Sequence, residues 1–122
     1  MIDETLNTLL NSIITTAEIY ADVPPDNQPY PQVVYDIVST VDELAIDESG
    51  ITDSISRIQV DVRANTRAEA ITLSDTLNAT LSGYRGVVAG KRIDLIKRLD
   101  RRTIVDKKLK LYRIVQDFMV HH

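Results

Sequence analysis

Cysteine and tryptophan are absent from this chain, and histidine occurs only twice, as the last two residues. Without cysteine there is no disulfide, no thiolate metal site and no cysteine nucleophile, so stability has to come from packing. A serine nucleophile needs a histidine base oriented by an acid, and His121-His122 has no sequence neighbours that would build one. The pair reads equally as native residues or as the remnant of an expression tag. Aromatic residues make up only 5% of the chain, and no carboxylate has the apolar and aromatic flanks that raise the pKa of a glycosidase acid. Glycine is scarce as well. The segment GYRGVVAGKR places glycines before a lysine, but it has neither the G-x-x-x-x-G-K-S/T spacing nor a following helix that would cradle phosphates. Asp42-Glu43 and Asp47-Glu48-Ser49 do not alternate as a calcium loop does. Long apolar runs are missing too, all falling far short of the roughly 20 residues of a membrane span. The opening MIDETLN is acidic where a signal peptide would be basic. The expectation is a non-enzymatic cytosolic chain, at least during synthesis, with no cofactor, no metal, no membrane partner and no small-molecule substrate.

What is present is charge, unevenly placed. The formal net charge is −4 over 122 residues, a length that suits one domain able to bury roughly two thirds of its unfolded surface. Residues 1–62 hold twelve acids and one base, Arg57, whereas residues 63–122 hold thirteen bases and six acids. The halves therefore carry −11 and +7, and ten of the bases fall between Lys91 and Arg113. Three readings fit such asymmetry: interdigitated surface charges, a head-to-tail oligomer, or a basic site for an anionic partner. Lys97, Arg98, Arg101, Arg102, Lys107, Lys108 and Lys110 could neutralise phosphates, so a small nucleic-acid-binding module using a 91–113 hairpin is the alternative function. Only Tyr112 lies nearby to stack on bases, and no nucleic-acid-reading motif accompanies it.

Read in order, Ile2, Leu6, Leu9, Leu10, Ile13, Ile14 and Ala17 recur at helical spacing, predicting an amphipathic helix from Asp3 to about Glu18. Tyr20–Val23 reads as a short extended piece. Pro24, Pro25, Pro29 and Pro31 then make a rigid loop. The β-branched run QVVYDIVSTV predicts a strand over Gln32–Val41, with Val33, Tyr35 and Ile37 on one face. Thr40–Ser54 carries five acids and reads as an exposed hairpin connection. Ile58, Val60 and Val62 alternate with polar residues in a returning strand, Ile55–Ala64, paired antiparallel to the first. Thr66 and Glu69 stand in capping-box spacing, opening a helix from Arg67 to about Leu81 that buries Ala70, Leu73, Leu77 and Leu81, with Gly83 beyond its end. Tyr84–Gly90 reads as a loop. Arg92–Leu99 and Lys110–Val120 read as two further strands, joined by the basic DRRTIVDKK. In the last of these Gln116 shares a face with Tyr112, Ile114, Phe118 and Val120.

Four blocks, taken together, carry a resemblance. They are TLNTLLNSI, then IYADVPPDNQPYPQVVYDIVS, then RIQVDVRANTRAEAITLSDTLNATLSGYRG, and finally LYRIVQDFMV. In that order they resemble the tail-completion or tail-terminator proteins of long-tailed bacteriophages, the third block being the most specific. The basic Lys97–Lys108 stretch and the terminal histidines depart from the family pattern. The resemblance implies a single α+β domain over residues 1–122, with a small four-stranded, mainly antiparallel sheet and two helices packed on one face. It also implies a subunit of a homo-oligomeric ring, usually a hexamer, at the head-proximal end of the virion tail. Such a ring stops tube polymerisation, meets tail-tube and head-tail connector proteins, and lets the genome pass through its lumen without specific binding. The expected contact residues are Asp42, Glu43, Asp47 and Glu48 on the acidic loop Val41–Ser54, with Lys97, Arg98, Arg101, Arg102, Lys107 and Lys108 on and beside the basic hairpin Leu99–Lys110.

Overall fold

The computed structural model describes residues 2–14, 17–21, 31–44, 51–88, 90–108 and 110–122. Its elements are α1 (Ile2–Ile13), β1 (Glu18–Ala21), β2 (Gln32–Leu44), β3 (Ile51–Ala64), α2 (Arg67–Leu81), β4 (Gly86–Val88), β5 (Lys91–Ile93), β6 (Leu95–Asp106) and β7 (Leu111–His121). Five strands form one sheet in the order β1-β2-β3-β7-β6, and β4 and β5 pair separately. The class is α+β, but the sheet differs from the four-stranded, mainly antiparallel expectation. A fifth strand, β1, joins parallel to β2 through Glu18↔Gln32 to Ala21↔Tyr35, which makes the sheet mixed.

Period two determines which residues face the helices. Val33, Tyr35 and Ile37 lie opposite Val62, Val60 and Ile58 across β2 and β3. Val62 and Ile58 in turn oppose Ile114 and Phe118 of β7. Leu6, Leu9 and Leu10 of α1 and Leu73, Leu77 and Leu81 of α2 pack with Val33, Tyr35, Ile58, Val60, Val62, Ile96, Phe118 and Val120 in one buried cluster. Each such side chain contributes about 1.5–3 kcal/mol when fully buried. Gln116 sits fully buried on the same face because its Nε2 donates to the backbone oxygen of Ser74 in α2 at 3.0 Å. Helix α2 begins as predicted. Thr66 is its N-cap, the hydroxyl accepting from the Glu69 amide at 3.3 Å. Beyond its C-cap, Gly83 has φ +81°, and its amide donates to the Ile96 carbonyl at 2.7 Å, joining helix end to sheet.

Four boundaries differ from the sequence pattern, each for a physical reason. Helix α1 stops at Ile13 rather than near Glu18, where the β-branched run Ile13–Thr16 disfavours helix and pairing with β2 recruits Glu18–Ala21 as strand. Residues 15–16 and most of the proline loop lie outside the described residues. Strands β2 and β3 run on to Leu44 and back from Ile51, so most of the expected acidic connection is ladder, with Asp42↔Ser54 and Glu43↔Asp53 opposite one another. Tyr84–Gly90 is not all loop, since Val87 pairs with Arg92 in the small sheet. Finally, β6 extends through the supposed basic connection to Asp106, and Lys107, Lys108 and Lys110 are turn residues. The terminal histidines belong to the sheet: His121 lies between Ile55 and Leu95, and His122 exchanges two 2.8 Å backbone bonds with Ser54. Its Nε2 also lies 2.7 Å from Ser56 Oγ, which is 2.9 Å from Thr40 Oγ1.

Candidate assembly surfaces

The acidic and basic regions of the sequence are brought to different ends and different sides of the sheet. Strand β3 ties them together. At its start, the ladder of β2 and β3 continues past the last residues of β7, carrying Asp42, Glu43 and Asp53 on a two-stranded arm. Asp47 and Glu48 lie outside the described residues. At the other end, Ala64 pairs with Tyr112, just beyond the turn that holds Lys107 and Lys108. Strand β3, fourteen residues long, spans about 45 Å at roughly 3.3 Å per residue. One molecule therefore cannot bring its acidic arm to its own basic turn.

The six basic candidates do not form one patch. Lys97, Arg98, Arg101 and Arg102 are distributed along β6, an edge strand, and alternate between its faces, whereas Lys107 and Lys108 lie in the turn after it. Lys97 lies opposite Met119, and Arg98 opposite Phe118 on the helix side. After the irregularity at Leu99, Arg101 falls opposite Gln116 and reaches Asp75 of α2 at 2.7 Å. Arg102 turns to the other face, where it meets Asp100 at 2.5 Å and Asp117 at 3.4 Å. These bonds, to Asp100 first and then Asp117, hold the Arg102 guanidinium above its ordinary pKa. Arg101 and Arg102 are thus already matched within the molecule. Lys97, Arg98, Lys107 and Lys108 form no ion pair among the described residues. The Lys108 amide donates to Asp106 Oδ1 at 3.1 Å, closing the turn.

On the sheet face away from the helices lies a set of charges that the sequence reading missed. Asp61 and Asp117 are nearly buried, at 6% and 3% exposure. One oxygen of Asp61 is shared by Arg63 at 3.1 Å and Arg113 at 2.6 Å. One oxygen of Asp117 is shared by Arg57 at 3.0 Å and Arg102 at 3.4 Å. The hydrogen bond to Asp61 raises the Arg113 pKa despite partial burial, which alone would lower it. Asp61 is two residues from Arg63, which alternation places on one face, but the partnership of Arg113 depends on the register of β3 against β7. No group of three metal-ligating side chains converges among the described residues. The cavities are shallow surface hollows, one of about 380 Å³ beside Asn65, Val105, Lys107, Lys110 and Tyr112 at the basic turn.

The described residues thus present charged edges and an ionic sheet face. The family profile described as "Tail completion protein gp17" matches residues 3–122. The chain belongs to the tail completion protein gp17 family. A comparison with curated proteins gives no match. Among solved structures, this tail completion protein is similar to a chain from the "Virion of native gene transfer agent (GTA) particle". The two are 18% identical, with a TM-score of 0.66 over 98% of this chain and 90% of that one. At that identity the likeness concerns the fold alone.

Proposed function

We propose that this tail completion protein is a structural, non-enzymatic subunit of a phage-type virion, acting as a single domain at the head-proximal end of the tail. Copies assemble head to tail into a closed ring, a hexamer by family resemblance, which caps the tail tube, stops its growth and presents a surface to the head connector. Family membership supports the tail role. The observation that carries the ring is the separation of an acidic arm and a basic edge across one small sheet. A ring needs two different faces on each subunit that fit one another, and opposite charge orients such faces as they meet. Acidic groups turned toward the lumen would let the genome pass without adhering, since like charges repel the phosphate backbone.

The test is electron microscopy of tail tubes assembled from the cognate tube protein, with and without this protein. The expected result is added density at one tube end only, together with arrested elongation. Tubes that bind the protein along their sides, or that grow unaltered in its presence, would contradict the proposal.

A further inference from the structure

The sheet has two edges that are only partly paired among the described residues, and they differ in sign. On one side, β1 covers only Gln32–Tyr35 of β2, so the outer edge of β2 from Asp36 to Leu44 has no neighbouring strand among the described residues. That stretch contains Asp36, Asp42 and Glu43 and no base. On the other side, β6 ends the sheet; its outer edge is bonded at Ile96 to Gly83 and Tyr84, and beyond Ile96 it has no neighbouring strand among the described residues, carrying Lys97, Arg98, Arg101 and Arg102 against Asp100 and Asp106.

Exposed apolar side chains fall on the same two edges. Among the described residues the large exposed hydrophobics are Val38, Val41, Val87, Leu99, Ile104 and Val105. All but Val87 lie on the free part of β2 or on β6. Val38 and Leu99 are moreover the extra residues at the two ladder irregularities, between Ile37 and Ser39 in β2 and between Arg98 and Asp100 in β6. Bulges and charges on an edge strand are how a soluble sheet avoids indiscriminate pairing. Here the guards are opposite in sign, so each edge repels its own kind and admits the other.

We propose that the acidic outer edge of β2 in one copy adds to the basic outer edge of β6 in the next, continuing the sheet from subunit to subunit. The direction follows from the topology. Antiparallel pairing from β2 to β3, β3 to β7 and β7 to β6 makes β2 and β6 run oppositely. Neighbours related by a rotation that preserves strand direction therefore meet antiparallel, with backbone hydrogen bonds giving affinity and side chains giving selectivity. Lys97 and Arg98, which form no ion pair among the described residues, meet Asp42 and Glu43, and Val41 and Val38 cover Leu99 and Ile104. This inference rests on the head-to-tail ring proposed above.

Charge exchange tests it. One variant carries Lys97→Glu and Arg98→Glu, so both its edges are acidic; a second carries Asp42→Lys and Glu43→Lys, so both are basic. All four positions lie on strands at the sheet margin, and circular dichroism checks that each variant folds. Each variant alone should need at least about tenfold more protein to assemble than the wild type, while an equimolar mixture should assemble as readily as the wild type, with the two alternating. Hydrogen exchange of the wild-type assembly should slow at the outward backbone amides in 36–44 and 98–106, the Ile96 amide being already bonded to the Tyr84 carbonyl. If the wild type assembles but the variants behave as it does and those amides stay unprotected, the ring stands and the edge pairing is wrong. If the wild type remains monomeric throughout, both fall.

Discussion

At the scale of residues, the molecule is held by a few polar groups that the core would not predict. Asp61 is nearly buried and accepts from both Arg63 and Arg113, so its removal leaves two guanidiniums facing each other without their counter-charge. Because both arginines are partly exposed, water recovers much of the loss, and Asp61→Ala should cost about 1–2 kcal/mol rather than the larger penalty of a fully buried pair. Urea unfolding checks this; an unchanged midpoint would mean that the carboxylate contributes nothing. Since the Asp61 carboxylate raises the pKa of Arg113, the arginine's part in this stability, wherever that carboxylate is ionised, is complete below the ordinary arginine range and is lost as pH rises above it. Alternation puts Asp61 and Arg63 together on the polar face of a strand, and they share that face, but Asp61 is nearly buried there rather than wet. It did not reveal Arg113, whose partnership depends on the β3–β7 register. Nor did it explain Gln116, which looks like a fault in an apolar face until its bond to the Ser74 carbonyl supplies a partner.

At the scale of elements, legibility followed burial. Strand β3 from Ile55 and helix α2 were readable because each lays one face on the core, so their periodicity is written in apolar residues, and the cap at Thr66 and the glycine at 83 mark the helix ends. Thr66→Ala should cost about 1 kcal/mol through the lost cap. Gly83→Ala should cost a comparable amount, about 1 kcal/mol, although no atom lies close to the added Cβ, because the strain is in φ. Thermal unfolding measures both, and either variant matching the wild type would contradict the capping role assigned to that residue. By contrast, the outer ends of β2 and β3 and the second half of β6 were read as connections, because their charges resemble those of a loop. The short β4 and β5 are below the length at which any period shows, and β1 depends on its parallel partner, which lies eleven or more residues further along the chain.

At the scale of the whole molecule, the division of charge along the sequence becomes a division in space. Acidic residues line one free edge and extend one end of the sheet, and basic residues line the opposite edge and the opposite turn, more than a sheet's width apart. Some of that basic charge is spent internally, since Arg101 and Arg102 already bond to Asp75, Asp100 and Asp117. The remainder, Lys97, Arg98, Lys107 and Lys108, which form no ion pair among the described residues, was visible as residues in the sequence, but not as the unmatched subset. The candidate site was therefore legible in composition and illegible in geometry. The most direct measurement is native mass spectrometry of the purified wild-type protein, with light scattering in parallel, at rising concentration and two ionic strengths. The prediction is a closed assembly of one fixed subunit number at low salt, dissociating as salt screens the opposed edges. A strict monomer at every concentration and salt, or an open-ended series of sizes with no preferred closure, would contradict it.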